Sequence, residues 1–296
     1  MYHACMSVTQ ALGYGPEERV VVVHVDDIGM SEAANDGALQ ALEGTATCGS
    51  VMVPCPAFEA AAELAVERPD LDLGVHLTLN AEYETYRWDP VIGVGNSLCA
   101  PYGGMWRSTD ETVENASVED VERELRAQID NALEAGIDVT HLDSHMGTVV
   151  QPKFIDVYVK LGREYRLPLM LPRIDSNLHK VLSEHAKRFI DLVDAAEADG
   201  LPIFDQFNAD SLVFEPETGL EHNRARIAGL APGISYLMVH CAQGGEQLSG
   251  ITHDWRQRDE ERRIYSDGSM TKAFESEGIQ TIGMRPLRDL TWTRLS

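Results

Sequence analysis

The chain contains the run Arg19-Val20-Val21-Val22-Val23-His24-Val25-Asp26-Asp27, in which β-branched residues lead directly into two carboxylates. A nearly continuous apolar run this short is typical of a strand that is buried on both faces, as in a parallel sheet. Gly29 permits a tight turn after the run, and Ser31 can cap a helix that continues to Leu42. The stretch therefore predicts a β-strand and an α-helix, with two carboxylates at the carboxyl end of the strand.

The same strand and helix unit recurs along the chain. Further strands are predicted at residues 48–53, 71–79, 137–142, 167–171, 201–204, 234–239 and 279–282. Helices are predicted at residues 57–67, 117–136, 152–165, 178–198, 221–230 and 270–277. About eight strands alternating with helices indicate an α/β fold, a single TIM-like (β/α) barrel whose closure can be irregular or incomplete. A doubly wound open sheet is the alternative, but the first strand lacks the G-x-G-x-x-G turn of a dinucleotide site.

One domain over residues 1–296 is the expected organisation, because this length is normal for a single α/β barrel. Residues 1–18 are interpreted as a leader segment of unassigned role. Residues 80–116 interrupt the alternation with a long segment rich in Gly, Pro, Tyr and Trp. Because a disordered linker would be poor in aromatic residues, we interpret this segment as an ordered loop or lid that borders a site.

The composition limits the classes of partner. A formal net charge of -24 and a pI near 4.7 argue against a nucleic-acid or anionic-membrane surface, although solubility alone also accounts for the acidity. Five cysteines without a C-x-x-C pair do not suggest a disulfide framework, so a reducing cytoplasm is expected. No run approaches the roughly 20 apolar residues that cross a bilayer, so membrane insertion is not expected. A homo-oligomer is left open.

Polar side chains follow most of the predicted strands. In a (β/α) barrel the carboxyl ends of the strands meet at one face, where the active site lies. One carboxylate oxygen and two imidazole nitrogens, with positions left for water and substrate, form a common catalytic metal shell. The sequence therefore predicts a metal site built from some of these residues: Asp26, Asp27, His76, His141, Asp143, His145, Arg173, Asp205 and His240.

The roles within this set depend on geometry. Along a strand, side chains two apart share a side, so His24 and Asp26 point one way and Asp27 points the other or lies in the turn. The two adjacent carboxylates are therefore expected to differ in role, one as a metal ligand and one as a base towards water. His141 and His145 are four apart, but the segment leaves a strand, so pairing on one helix face is not expected.

Four motifs resemble those of a known family. His24-Val25-Asp26-Asp27-Ile28-Gly29-Met30 resembles the N-A-D-D-F-G motif of the YdjC/ChbG-like carbohydrate deacetylases, and Gly74-Val75-His76-Leu77-Thr78-Leu79 resembles their G-x-H-x-x-L. Thr140-His141-Leu142-Asp143-Ser144-His145 matches their T-H-L-D-S-H, and Met238-Val239-His240 is similar to a later M-V-H. The motifs follow the family's order and span most of the chain.

This resemblance implies a (β/α) barrel, one divalent cation such as Mg²⁺ or Zn²⁺, and hydrolysis of an N-acetyl group on an amino sugar. It implies Asp27, His76 and His145 as ligands and Asp26 as the base. His240 would protonate the leaving amine or stabilise the oxyanion. His141 and Asp143 are interpreted as residues that orient His145, and Arg173 as a supporting or substrate-binding residue.

Three departures from the family pattern concern the substrate rather than the metal shell. Met146-Gly147-Thr148 replaces a further H-x-H-type continuation, Cys241 replaces a proline, and His24-Val25 replaces an asparagine-alanine pair. The expected substrate is therefore an N-acetylated sugar or sugar conjugate that need not be a chito-oligosaccharide. Another barrel metallohydrolase, such as a phosphoesterase or a cyclic-amide hydrolase, and a non-catalytic sugar-binding relative are the alternatives.

Overall fold

A computed structural model describes residues 7–174 and 185–294, in which parallel strands alternate with helices. The strands are β1 (Arg19–Ile28), β2 (Cys48–Val51), β3 (Leu73–Leu77), β4 (Leu142–Ser144), β5 (Gln206–Asn208), β6 (Gly233–Val239) and β7 (Gln280–Ile282). The helices are α1 (Val8–Ala11), α2 (Glu32–Leu42), α3 (Phe58–Glu67), α4 (Thr109–Asn115), α5 (Val118–Glu134), α6 (Ile155–Tyr165), α7 (Ala186–Ala198), α8 (Gly219–Ala228), α9 (Glu246–Ile251), α10 (Trp255–Ser266), α11 (Ser269–Glu277) and α12 (Arg285–Arg294).

The strands of the described residues form one parallel sheet around β1. The order is β4-β3-β2-β1-β6-β5, and β7 also pairs with β1. β7 lies beside the first half of β1, with Val20 opposite Gln280, whereas β2 lies beside the second half, with His24 opposite Cys48. Every residue of β1 after Arg19 is buried. The apolar run is therefore continuous because β1 has strands on both edges and packed side chains on both faces.

Two isolated parallel bridges continue the pairing beyond the ends of the sheet. Leu142 bridges to Leu169, and Pro172 bridges to Phe204, just before β5. The sheet therefore curls into a (β/α) barrel whose sector between β4 and β5 is held by single bridges. The predicted fold class, a barrel with irregular closure, is confirmed. Seven strands, rather than about eight, are present in residues 7–174 and 185–294, because residues 167–171 contribute a single bridge, at Leu169, instead of a strand.

Two predicted strands are shifted. β4 is Leu142–Ser144 rather than residues 137–142, because a tight turn from Val139 N–H to Ile137 C=O interrupts the extended backbone. β5 is Gln206–Asn208 rather than residues 201–204, because pairing with β6 begins only beyond Asp205. Asp205 therefore precedes its strand instead of ending it. Residues 178–184 of the helix predicted at 178–198 lie outside the described residues, and α7 covers the remainder.

The predicted helix bounds are most accurate where the sequence contains both an N-terminal capping residue and a glycine after the last turn. Ser117 caps α5 by accepting the Asp120 N–H, and the helix ends just before Gly136, whose φ is 90°. Helix α10 was not predicted, because its residues are strongly polar and lack a clear apolar stripe. It packs against α2 closely enough that a Cβ on Gly44 would lie 2.3 Å from the Tyr265 carbonyl oxygen. Nearer its start, α10 reaches the carboxyl end of β1, where Arg258 donates to Asp27.

The segment predicted as an 80–116 loop contains regular structure. Helix α4 begins with a capping box at Ser108, and Cys99 forms an antiparallel bridge with Met105. Trp88 is buried, and its Nε1–H donates to the Asn80 carbonyl oxygen. At the N-terminal end, Val8 of α1 packs in a buried cluster with Val22 of β1 and Ile234 of β6, so the described part of residues 1–18 contacts the barrel.

Within the described residues, none of the helices combines the length and the apolar character that crossing a bilayer requires.

Candidate active site

A cavity of about 400 Å³ opens at the carboxyl ends of β1, β3, β4 and β6. Titratable groups and apolar side chains both line it. The titratable lining residues are Asp26, Asp27, His76, Glu82, Asp143, His145, His240 and Arg258. The apolar lining residues include Met146, Val150, Met170, Phe207, Tyr236 and Met238. A concave, mixed surface of this size at the carboxyl ends of barrel strands is where a small-molecule site is expected.

The end of β1 separates its two carboxylates. Asp26 keeps the strand alternation, and its Oδ1 is 2.6 Å from Nδ1 of His24, which lies on the same side of the strand. Asp27 has a φ of 65°, in the left-handed region that non-glycine residues rarely occupy. Because of this turn, the Asp27 carboxylate reaches Arg258, whose Nη1 donates to Asp27 Oδ2 over 2.7 Å. The carboxylates of Asp26 and Asp27, although adjacent in sequence, therefore have different hydrogen-bond partners.

Asp27, His76 and His145 bring three donor atoms together. Asp27 Oδ1 is 3.4 Å from His76 Nε2 and 3.4 Å from His145 Nδ1, and the two nitrogens are 3.3 Å apart. Asp27 Oδ1 is buried, and no group in the described part of the chain satisfies it with a hydrogen bond. A buried carboxylate oxygen without a donor, facing two imidazole nitrogens, fits a divalent cation. These three side chains can therefore hold a metal.

Carboxylates orient both imidazoles of this cluster. His76 Nδ1 is 2.7 Å from Asp143 Oδ2, and His145 Nε2 is 3.0 Å from Glu82 Oε2. When the remote nitrogen donates to a carboxylate, the near nitrogen keeps its lone pair for a cation. The Asp143 contact differs from the prediction that Asp143 orients His145. The reason is the register of β3 and β4, in which His76 is directly opposite Asp143.

Electrostatics in the cluster favour anionic carboxylates and protonated imidazoles when no cation is bound. Burial by itself would raise the pKa of Asp27, but the Arg258 guanidinium and the two imidazoles hold it well below its usual value. Burial opposes protonation of His145, yet the Glu82 and Asp27 carboxylates raise its pKa to about 9. A bound cation would compete with this proton, so metal binding is expected to release protons.

Asp26 lies next to the cluster without joining it. Its Oδ2 is 3.9 Å from both His76 Nε2 and His240 Nε2. Burial, together with Asp143 and Asp27, outweighs the nearby imidazoles and raises the pKa of Asp26 to about 7. A carboxylate whose pKa lies near neutrality and whose free oxygen faces a cavity has the properties of a general base.

Beneath Asp26, His24 and His141 form a buried pair. Their Nε2 atoms are 2.7 Å apart, and His141 Nδ1 is 2.9 Å from Thr140 Oγ1. Burial lowers the pKa of His24 to about 4 and that of His141 to about 3, so both rings are neutral at neutral pH. Gly74 makes room for this pair, because a Cβ there would lie 2.6 Å from the His141 ring. Through His24, this buried pair holds the Asp26 carboxylate by a hydrogen bond to Oδ1.

The structure brings together most, but not all, of the side chains that the sequence selected. Asp26, Asp27, His76, Asp143, His145 and His240 all line the cavity. His141 lies behind it, against His24 rather than against His145. Arg173 is absent from the cavity wall; it lines a separate pocket with Asp205, and its Nε is 3.4 Å from Asp205 Oδ1. That displacement follows from the shifted β5, which carries Asp205 to the amino end of the strand.

Glu82 and Arg258 contact the cluster directly and were not singled out from the sequence. Glu82 lies in the 80–116 segment, whose predicted position beside a site was the available signal. Arg258 is one of several arginines in a polar helix, and no pattern distinguishes it from Arg256 or Arg262. Of the aromatic residues in the segment, Trp88 is buried with its ring centroid 6.4 Å from that of His145, whereas Tyr86 Oη donates to the Met30 carbonyl oxygen.

A family model described as YdjC-like protein matches residues 20–276, which include every titratable lining residue. The chain belongs to the YdjC-like family. The match begins at β1 and ends in α11, so it covers the four motifs quoted above and the helix that carries Arg258.

Two relatives of this YdjC-like protein are named carbohydrate deacetylase. The one from Thermus thermophilus is 41% identical over 268 residues, which cover 86% of this chain and 88% of that protein. The one from Brevibacillus brevis is 37% identical over 153 residues, which cover 51% of this chain and 59% of that protein. A crystal structure of a putative cellobiose-phosphate cleavage protein from Enterococcus faecalis superposes with a TM-score of 0.73 and 23% identity, covering 91% of this chain and 99% of that chain. That likeness concerns the fold.

Proposed function

We propose that this YdjC-like protein is a metal-dependent carbohydrate deacetylase, which hydrolyses an N-acetyl group of an amino sugar or sugar conjugate. The observation that carries the proposal is the buried Asp27 Oδ1, which lacks a hydrogen-bond donor among the described residues and faces His76 and His145. The adjacent carboxylate of Asp26, with a raised pKa, supports a hydrolytic role for the cavity. The names of the two relatives support the substrate class.

In the proposed reaction, water attacks the carbonyl carbon of the N-acetyl group. Asp26 accepts a proton from that water, a C–O bond forms, and the C–N bond breaks as His240 donates a proton to the nitrogen. The products are acetate and the amine, which takes up the second proton of the water as it is released. Asp27, His76 and His145 would hold the cation, which supplies polarisation of the carbonyl and a lowered pKa for water. The apolar lining residues limit access of bulk water to the reacting group.

The donor set supports Zn²⁺ over Mg²⁺. Imidazole nitrogens suit zinc and its transition-metal neighbours, whereas Mg²⁺ prefers carboxylate, carbonyl and water oxygens. Two of the three donors here are imidazole nitrogens. Elemental analysis of the purified protein tests this assignment, and a content near one magnesium and no zinc would contradict it.

We also propose that residues 80–116 act as one wall of the substrate site and that the protein belongs to the cytoplasm. Glu82, which reaches His145, supports the first proposal. The free thiols of Cys48, Cys55, Cys99 and Cys241 support the second, because a reducing compartment preserves them. Cell fractionation tests the location, and recovery of the protein outside the cytoplasm would contradict it.

The function is tested by acetate release from a panel of N-acetylated mono- and oligosaccharides, with and without chelator. Acetate and free amine are expected in equal amounts, and chelation is expected to stop the reaction. His253→Ala, an exposed histidine, is the matched control and should retain turnover. Binding of sugars without acetate release would indicate a non-catalytic relative. Two metals per chain, with hydrolysis of phosphate esters, would indicate a different metallohydrolase.

A further inference from the structure

Ser211 and Glu261 form a hydrogen-bonded chain on the side of the His240 ring that is remote from Asp26. Ser211 Oγ is 2.8 Å from His240 Nδ1 and 2.8 Å from Glu261 Oε2. The same Oε2 accepts the backbone N–H of His240 over 2.7 Å. Glu261 belongs to α10 and is fully buried. Its carboxylate is therefore linked to the His240 ring through the Ser211 hydroxyl.

Arg226 and two hydrogen-bond donors stabilise the anionic form of Glu261 against the cost of burial. Arg226, itself buried, holds Nη1 3.6 Å from Glu261 Oε1. Two donors converge on Oε2, and a proton on Oε1 would point at no acceptor within the described residues. Burial is the largest influence and raises the pKa of Glu261 above its usual value, while the Arg226 charge and the two donors limit that rise.

These contacts fix the direction of each hydrogen bond. An ionised carboxylate only accepts, so the single hydroxyl proton of Ser211 is donated to Glu261. The Ser211 oxygen is then left as an acceptor for the ring, and His240 Nδ1 must carry the proton that it receives. In a neutral imidazole only one nitrogen carries a proton, so Nε2 has a free lone pair.

We propose that Ser211 and Glu261 are positioning residues that hold neutral His240 as the Nδ1–H tautomer, with its unprotonated Nε2 facing Asp26 and the cavity. Neutral His240 then has no proton with which to stabilise an oxyanion. It must first gain one at Nε2, and the proton that Asp26 removes from water is the source. His240 next gives this proton to the nitrogen as the C–N bond breaks, so the proton passes from water through two side chains to the amine.

The consequence for the reaction rests on the proposed function, but the tautomer itself does not. It is measured on protein labelled with ¹⁵N in its histidine rings, at mildly alkaline pH, where the neutral ring shows one protonated and one unprotonated nitrogen. The His240 signals are identified by their loss in His240→Gln. The expected spectrum has a protonated Nδ1 and an unprotonated Nε2. A protonated Nε2 in the wild-type protein would overturn the proposal.

The matched pair Ser211→Thr and Ser211→Val separates the hydroxyl from packing, because the two side chains have nearly the same volume. The threonine variant is expected to keep the Nδ1–H tautomer, and the valine variant to move the proton to Nε2. Both should retain the wild-type near-ultraviolet circular dichroism. An unchanged tautomer in the valine variant would overturn the proposal, as would loss of the tautomer in both variants when both are folded.

Turnover gives a second readout. Ser211→Val is expected to lower kcat at least about tenfold with little change in KM, as removal of an orienting partner of an imidazole does. Ser211→Thr is expected to restore most of the loss. Ser249→Ala, an exposed serine on α9, is the control for a lost hydroxyl. If no sugar releases acetate, the proposed function fails while the ring spectrum still decides the tautomer. Equal kcat in the valine and threonine variants would contradict the positioning role.

Discussion

The two halves of the barrel contribute to the same cavity in different ways. The first half supplies the metal donors from short motifs at the ends of β1, β3 and β4, and strand register fixes their positions. The second half supplies His240 from the end of β6, and α10 adds Arg258 and Glu261 through ion pairs and hydrogen bonds. The first half thus holds the cation, and the second half sets the charges and protons around it.

Asp27 is where the two halves meet. Its Oδ1 faces the imidazoles of the first half, and its Oδ2 accepts from Arg258 of the second. If this division is correct, removing a first-half donor should abolish metal binding, whereas removing a second-half partner should change stability and pH dependence first. Variants of residues in each half test this distinction.

The largest effect is expected for His145→Ala, which removes one of three donors. Metal content should fall close to zero, and turnover should fall at least about a thousandfold, since a cation supplies several kcal/mol of stabilisation to the transition state. Elemental analysis and acetate release measure the two quantities. His253→Ala controls for the loss of a histidine away from the site. Full metal content in His145→Ala would show that the donors lie elsewhere.

Arg258→Met tests the contact between the halves. Breaking a buried ion pair leaves the Asp27 carboxylate without its guanidinium partner, so the metal-free variant should lose about 3 kcal/mol of unfolding free energy at neutral pH. In the wild-type protein the lowered pKa of Asp27 stabilises the fold above the unfolded value of about 3.9, and this contribution is lost as the pH falls. In the variant the guanidinium no longer offsets burial, so the pKa of Asp27 moves up towards its unfolded value and the deficit in unfolding free energy should narrow as the pH is lowered.

Urea denaturation of metal-free protein at neutral and acidic pH measures this deficit. Arg256→Met, an exposed arginine on the same helix, is the control. A deficit that does not change with pH would argue against the Asp27 contact as its cause.

A smaller effect is expected for Glu82→Gln, which weakens the hydrogen bond that orients His145. Metal affinity should fall by about tenfold, the lower end of the range for an orienting partner of a metal ligand. Competition with a chelator of known affinity measures it. Glu84→Gln removes an exposed carboxylate of the same segment and should leave affinity unchanged. Equal affinity in the two variants would exclude Glu82 from the cation site.

The site residues of the first half of the barrel could be predicted from the sequence because they lie directly at the carboxyl ends of recognisable strands. The β-branched run before Asp26 predicts a buried parallel strand. The alternation of side chains predicts that Asp26 and Asp27 point in different directions, and their carboxylates do contact different partners, His24 and Arg258. The fold class followed from the repeated strand and helix units.

The remainder depends on distances that no sequence pattern carries. Asp143 was expected to orient His145, but register across β3 and β4 sets it against His76. Arg173 was expected near the site, but the start of β5 beyond Asp205 leaves it outside the cavity. Arg258 and Glu261 come from α10, whose sequence is so polar that no apolar stripe indicates which face packs inward. Their roles follow only from buried contacts between segments distant in the chain.

The central claim is that the adjacent carboxylates divide the work, Asp27 holding the cation and Asp26 moving the proton. The most direct test compares Asp26→Asn with Asp27→Asn by elemental analysis and acetate release on the same samples. Asp26→Asn should keep about one metal per chain and lose turnover by about 10²- to 10⁴-fold, the usual contribution of a general base. Asp27→Asn should lose the metal. Near-normal turnover in Asp26→Asn, or full metal content in Asp27→Asn, would contradict the account.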